Sequence, residues 1–392
     1  MSDSAKPHLR PFDPRFSCGP TKKHPGWSLD ALSGAAVSRS HRAPAGLTKI
    51  NEAIERTHAL LECPSDYRVA MLGGSDTAAM EAAMWSMLGA RGVDVFSWDE
   101  FGRRWHVDAC DELKLDDLRT FTAPYGQTPD FNQAGADRDI VFTWNATAAG
   151  ARVPNADWIS MDRTGLTIAD ATSAAFAMPL DWPKIDVLTF SWQKAMGGEA
   201  QHGMVVLSPR ALERLESYRP SWPVPRLLQL YNKDGLNEGL FAGKTLNTPS
   251  LLCIEDYLLA LKWAMREGGV SALHARVEAN FAALSDWVER TDWIDWMCED
   301  AACRSPVSVT LKFADPKVAA MDAHQQWKIS RKMGSLLERE NAALDITPHP
   351  AAPPGLRIWC GPTVDADDVA ALCPWLDWAY SEAGRKYTMA FS

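Results

Sequence analysis

Three short stretches of the chain carry residue types suited to chemistry, and their order is informative. The first is Gly73-Gly74-Ser75-Asp76-Thr77, between an apolar run, Tyr67–Leu72, and a helical pattern, Thr77–Leu88. Unpaired amides at a helix N-terminus, approached closely over glycine, bind anions. The same residues also suit a tight strand-to-helix turn with Asp76 as its N-cap. They do not form GxGxxG and no Walker lysine follows, which disfavours dinucleotides and nucleoside triphosphates. The second is Asp170, at the end of the apolar run Leu166–Ala169 and before Ala-Thr-Ser173. In open α/β sheets the carboxyl ends of strands line the ligand crevice; an aspartate there also opens loops and caps helices. The third is Lys194, between the apolar run Val187–Phe190 and Gly197-Gly198. It is either an exposed loop lysine or a partly buried amine of lowered pKa, suited to a Schiff base.

Taken together, the three match what pyridoxal phosphate requires: a phosphate cup, a carboxylate for the pyridine nitrogen and a lysine for the carbonyl carbon. The elements that must position them alternate. Lys49–Glu62 places Ile50, Ile54, Thr57 and Leu61 on one helical face. Strands are expected at Tyr67–Leu72, Val93–Trp98, Ile140–Trp144, Leu166–Ala169, Val187–Phe190 and Met204–Leu207, and helices at Thr77–Leu88 and Glu100–Cys110. Ser208-Pro209 reads as an N-cap followed by proline at the first helical position. This alternation predicts a mostly parallel, doubly wound α/β domain. Residues 219–249, rich in proline and glycine, read as one long functional loop. Beyond them, helices near 249–266, 270–290 and 323–340, strands at Ser305–Phe313 and Leu356–Cys360, and a helix from about 365 predict a smaller α+β domain. The division expected is 1–265 for the large domain, including an irregular proline-rich N-terminal segment, and 266–392 for the small one.

The 392 residues suffice for two domains at roughly 150 residues each. Hydrophobic residues make up 46% and charged residues 23%, as in ordinary soluble proteins. With 40 basic against 50 acidic residues, net −10, neither nucleic acid nor an anionic membrane is expected as the main partner. The longest uncharged stretch, Ile140 to Ala151, is too short and polar for a membrane span. The first ten residues hold no apolar signal core. Eight scattered cysteines without a CxxC pair argue against zinc and disulfides; a cytoplasmic protein with reduced thiols and no metal is expected.

Several further motifs carry a family resemblance: Phe16-Ser-Cys-Gly-Pro20-Thr-Lys, Ser40-His41-Arg42, Asn145-Ala-Thr147, Ser191-Trp-Gln-Lys194, Leu246-Asn247-Thr248-Pro249 and Gly355-Leu-Arg357. With the Gly-Gly turn and Asp170-Ala-Thr-Ser they span most of the chain, and Ser-His-Arg, Gln-Lys and Asn-Thr-Pro are the most specific. The sequence resembles the phosphoserine aminotransferase family, class V pyridoxal-phosphate enzymes of fold type I, and most of all its divergent bacterial and archaeal branch. By that resemblance Lys194 is the lysine that carries the cofactor and Gln193 its phosphate-contacting neighbour. Asp170 partners the pyridine nitrogen, the amides of Ser75 and Asp76 hold the phosphate, and Thr147 lies near the ring hydroxyl. Asn247 and Thr248 are implied phosphate ligands donated by the other subunit of a homodimer. Thr248 is at the same time the expected N-cap of the next helix, with Pro249 in its first position. His41 and Arg42 match a substrate-binding pair and Arg357 the arginine for the substrate carboxylate. The family's ring-stacking tryptophan aligns with Phe101, flanked by Trp98 and Trp105. A family His-Arg pair is reduced to His349 followed by proline, and Arg226 is the expected replacement charge. Asp76 is expected to turn only its amide to the phosphate.

The resemblance implies amino transfer between L-glutamate and 3-phosphohydroxypyruvate, giving O-phospho-L-serine and 2-oxoglutarate, in serine biosynthesis and also on phosphohydroxythreonine in vitamin B6 synthesis. Three rivals stand against it: a serine–glyoxylate aminotransferase, a cysteine desulfurase using Cys303, and a non-catalytic binding protein on the same fold.

Overall fold

The computed structural model describes residues 5–233 and 235–388. Its largest sheet among the described residues has seven strands: β1 (Arg68–Gly73), β2 (Val93–Ser97), β3 (Leu118–Thr122), β4 (Asp139–Thr143), β5 (Thr167–Asp170), β6 (Val187–Ser191) and β7 (His202–Leu207), in the order β1-β7-β6-β5-β4-β2-β3. The pairs from β3 through β6 are parallel; β7 runs antiparallel to both β6 and β1. The sheet is therefore mostly parallel, as expected, with one reversed strand near its edge.

Helices cover both faces. Alternate strand residues go to opposite sides, so Leu72, Val95, Val141, Ile168 and Val205 share one apolar cluster while Met71, Phe96, Phe142, Leu188 and Met204 share the other. The first side is closed by α2 (Ser75–Met87), α3 (Glu100–Val107, extended by a π turn at Asp108–Glu112) and α4 (Pro209–Ser217). The second is closed by α1 (Pro44–Leu60) and α5 (Leu251–Glu267). Ser208 caps α4 as anticipated, its hydroxyl accepting from Ala211 N at 3.2 Å.

α6 (Val270–Glu289), α7 (Ala323–Arg339) and α8 (Ala366–Thr388) surround a second sheet of β8 (Ile294–Trp296), β9 (Ser308–Phe313) and β10 (Leu356–Trp359), all antiparallel. The N-terminal segment joins this part as well: Trp359 N donates to Phe16 O at 3.0 Å and Leu344 N to Pro14 O at 2.7 Å. The 219–249 region is less of a loop than expected. It contains a short helix at Glu238–Phe241, a 3₁₀ turn at Arg226–Leu228 and a two-rung hairpin, Tyr231–Asn232 with Gly235–Leu236.

Candidate active site

The carboxyl ends of β5 and β6 lie side by side, with Asp170 paired in register with Thr189. Asp170 is the last residue of β5, and Lys194 follows β6 by three residues. Both line one cavity of about 310 Å³, together with Ser75, Asp76, Phe101, Thr147 and Gln193. The strand ends and the Gly-Gly turn thus bring the three chemistry-bearing stretches together.

Lys194 is buried, and its ammonium donates to Cys18 O. Burial pulls its pKa down to about 8 from 10.5, against partial support from nearby Asp170 and Asp99. An amine at the usual value is neutral in roughly 1 molecule in 300 at pH 8, one lowered to about 8 in half. The backbone around Lys194 is clamped by the N-terminal segment: Thr21 Oγ1 donates to Lys194 O at 2.6 Å and Thr21 N to Gln193 O at 2.9 Å. Glycine suits position 19, where φ is 150° and a Cβ would meet the lysine Nζ.

Asp170 accepts from Trp105 Nε1 at 3.1 Å and from Thr172 N at 2.9 Å, which fixes its carboxylate at the cavity wall. Asp76 is one residue into α2, after Gly74 in the left-handed region (φ 105°). Its side chain does more than expected. It is buried beside Asp170, Thr172 and Thr189, and burial followed by the Asp170 charge raises its pKa well above the carboxylate range. Ser75 N leans on Gln201 O at 3.4 Å, so the first-turn amides of Asp76 and Thr77 are the ones the helix ladder leaves unpaired. Thr147 Oγ1 donates to Ser173 Oγ at 2.8 Å, which also accepts from Asn145 Nδ2 at 2.8 Å.

The three aromatics of this segment differ in position. Phe101 lines the cavity from the first turn of α3, and Trp105 lines it one turn later. Trp98 lies before the helix, buried, its indole donating to Ala151 O at 3.1 Å, and does not line the cavity. Asp99 fixes α3 by accepting from Phe101 N and Gly102 N at 2.9 and 3.0 Å, and ties it to the Thr147 segment by accepting from Ala148 N at 3.0 Å. Burial raises the Asp99 pKa to about 6.

Arg357 and His349 lie near this cavity without lining it. Arg357 is half-buried on β10 with an unpartnered Nε, and its charge acts on Lys194, Cys18 and His349. His349 lies 5.8 Å from Phe101, ring centre to ring centre.

Other expected residues are not brought to this cavity. Arg226 is exposed in the 3₁₀ turn and lines a separate groove beside Gly73 and Asn247, so it does not supply the replacement charge in this chain's cavity. Arg42 is exposed; His41 is buried with an unpartnered Nε2; neither lines the cavity. Asn247 and Thr248 are exposed. Thr248 does not cap a helix: α5 starts at Leu251 and Ser250 is its cap, accepting from Cys253 N at 3.3 Å. Cys303 is buried in a short 3₁₀ turn away from the cavity, which leaves a desulfurase without its cysteine. Sequence reasoning missed Arg104 and Thr143 as lining residues, and gave Thr77, Asn145, Thr172 and Ser191 no individual role within the motifs that contain them.

The cavity fits a polar, anionic aromatic group. Asp76 Oδ1, Thr143 Oγ1, Asn145 Oδ1, Thr172 Oγ1, Ser191 Oγ and Gln193 Oε1 are buried, line it and have no hydrogen-bond partner. Buried polar groups are ordinarily satisfied, so orphans concentrated around a lysine and a carboxylate mark a place built for a ligand.

No family model matches the chain. Among solved structures it is similar to a phosphoserine aminotransferase from Cytophaga hutchinsonii, with a TM-score of 0.76 at 22% identity over 93% of this chain and 99% of that one. It is as similar to a pyridoxamine–pyruvate aminotransferase from Mesorhizobium loti, with a TM-score of 0.77 at 18% identity over 97% and 95%. These likenesses show the fold and do not separate activities. The curated relatives are far nearer in sequence. Phosphoserine aminotransferase of Methanosarcina mazei is 47% identical over 96% of this chain and 99% of its own length, and that of Methanosarcina barkeri 46% over the same shares. At that identity, over nearly the full length of both partners, the chain belongs to the phosphoserine aminotransferase family.

Proposed function

We propose that this chain is a pyridoxal-phosphate-dependent aminotransferase that moves the amino group of L-glutamate to 3-phosphohydroxypyruvate, producing O-phospho-L-serine and 2-oxoglutarate. One observation carries the reading: in a member of this family, buried Lys194 and Asp170 converge from adjacent strand ends on a cavity lined by unsatisfied polar atoms. A purely binding protein has no need of a lysine with a depressed pKa.

The residues divide the work. The amides of Asp76 and Thr77, with Ser75 and Gln193, would hold the cofactor phosphate at the positive end of α2. Phe101 would pack on the ring, and Thr147 would face its hydroxyl. When bound, pyridoxal phosphate supplies an electron sink for the bond broken at the substrate Cα. Asp170 would hold a proton on the ring nitrogen. Lys194 would anchor the cofactor, and its Nζ, freed when substrate binds, would take the proton from the substrate Cα as general base. Arg357 binds the α-carboxylate common to both substrates. The second keto acid reverses the sequence, so the kinetics are ping-pong.

Asn247 and Thr248, exposed and outside their own chain's cavity, are proposed to complete the phosphate site of a partner in a cytoplasmic homodimer; Arg42 and His41 are proposed to reach substrate by the same route. We also propose the domain division near the Gly268-Gly269 break, a large domain to 265 and a small one from 266, with the first residues packing on the small one. Phosphohydroxythreonine is proposed as a second substrate. The test is an assay of purified protein with glutamate against phosphorylated and unphosphorylated hydroxypyruvate. Phosphoserine should form with an efficiency about tenfold or more above that of the unphosphorylated reaction. Efficient transfer to glyoxylate with none to the phosphorylated keto acid would overturn the reading.

A further inference from the structure

Arg104 has no role in anything established above, yet it lines the cavity that holds Lys194 and Asp170. Its place is set by α3, whose first turn Asp99 caps and whose Trp105, the next residue, is tied to Asp170. Among the described residues its side chain has neither a hydrogen bond nor an ion pair; neighbouring Arg103 takes the Glu100 carboxylate instead, at 2.9 and 3.1 Å. The Arg104 guanidinium rests on Phe101, 5.4 Å from the ring centre, and the same ring lies 5.8 Å from His349. His349 is held below its usual pKa by burial first, then by the charge of Arg357 and, more weakly, those of Arg104 and Lys194, against the opposing charge of Glu100. Phe101 thus carries Arg104 of α3 and His349 around one ring.

The rest of the lining makes Arg104 significant. Away from the first turn of α2, the cations lining the cavity are Lys194 and Arg104, and Lys194 is committed to the reacting centre. The substrates proposed above carry an anion at each end, the α-carboxylate and a distal phosphate or carboxylate. A planar guanidinium with uncommitted donors, braced on an aromatic face, suits the distal oxygens. Resting on the aminotransferase reading, we infer that Arg104 binds the distal anionic group of the substrate and sets the preference for a phosphorylated keto acid.

The test compares wild type with Arg104→Leu and Arg104→Lys, each loaded with cofactor to the same visible absorbance. It measures kcat and KM for 3-phosphohydroxypyruvate and for hydroxypyruvate, with glutamate as donor. The leucine variant should lose about tenfold or more in the ratio of the two kcat/KM values, chiefly through KM for the phosphorylated substrate, and lysine should recover part of it. An unchanged ratio in the leucine variant, or equal losses on both substrates, would overturn the inference, as would Arg42→Leu collapsing the ratio while Arg104→Leu does not. A wild type without preference for the phosphorylated substrate would instead overturn the substrate assignment on which the inference rests.

Discussion

The crevice at the ends of β5 and β6 and the surface segments around Arg42 and Asn247-Thr248 differ in how complete they are within one chain. In the crevice every key group has its support: Asp170 is held by Trp105 and Thr172, Lys194 is clamped through Thr21, and Asp99 caps α3. The surface segments are the reverse. Arg42, Asn247 and Thr248 are exposed, with their side chains outside the cavity they resemble parts of. Buried, cross-braced groups are suited to electronic work, where a carboxylate must keep a charge and an amine must lose one. Exposed groups on loops are suited to meeting something that arrives from outside, whether substrate or a second subunit.

The largest effect should come from the crevice. Lys194→Ala should remove nearly all turnover and leave cofactor that dialysis strips from the protein; normal activity in that variant would break the comparison at its centre. Asp170→Asn keeps the shape and removes the charge. Its single-turnover rate should fall by about two orders of magnitude or more while part of the cofactor binding survives, and an unchanged rate would rule out its role at the ring nitrogen.

Substrate contacts should cost less. Arg357→Ala should weaken both half-reactions alike, by about 2–3 kcal/mol, as expected for one lost charged contact in a desolvated site. A loss confined to the phosphorylated substrate would move Arg357 to the phosphate. The surface half of the comparison is sharpened by mixing a Lys194→Ala chain with one altered at both Asn247 and Thr248. In a shared site one position of the mixed dimer is intact, so activity should reappear from two weak parents. Confirmed mixed dimers without recovery would confine both residues to their own subunit.

The smallest effect concerns Asp76. Its folded-state pKa is raised by burial and by Asp170. The stability it contributes is therefore complete below the unfolded value near 3.8 and is lost as pH rises towards the folded value. Cofactor-free Asp76→Asn should thus gain on wild type in urea midpoint from about pH 5 to about pH 8. A constant difference across that range would mean the carboxyl is already ionised.

Much of this arrangement was legible because apolar runs and turn residues report burial and chain reversal. The strands ending in Asp170 and preceding Lys194, the Gly-Gly turn and the Ser208 cap all follow from local pattern. Strand direction does not. β7 is buried on both faces, and a continuous apolar run looks the same whichever way it points. β3 escaped notice because an exposed edge strand containing Arg119 and Thr120 has no apolar period to detect. The helix after residue 249 began later than expected because Thr248 and Ser250 are both hydroxyl caps on either side of a proline, and only the hydrogen bond to Cys253 N decides between them. Arg104 was missed for a similar reason: adjacent Arg103 and Arg104 are alike as letters, and the roughly 100° between neighbours on a helix sends one to Glu100 and the other to the cavity.

The central claim is that Lys194 is the residue to which the cofactor is attached. Reduction of the holoenzyme with borohydride fixes a lysine-linked cofactor irreversibly, and peptide mass mapping then locates it. The account predicts a pyridoxyl-phosphate mass on the peptide that contains Lys194 and on no other lysine; the same mass on a different lysine, or none in an active and fully reduced sample, would contradict it.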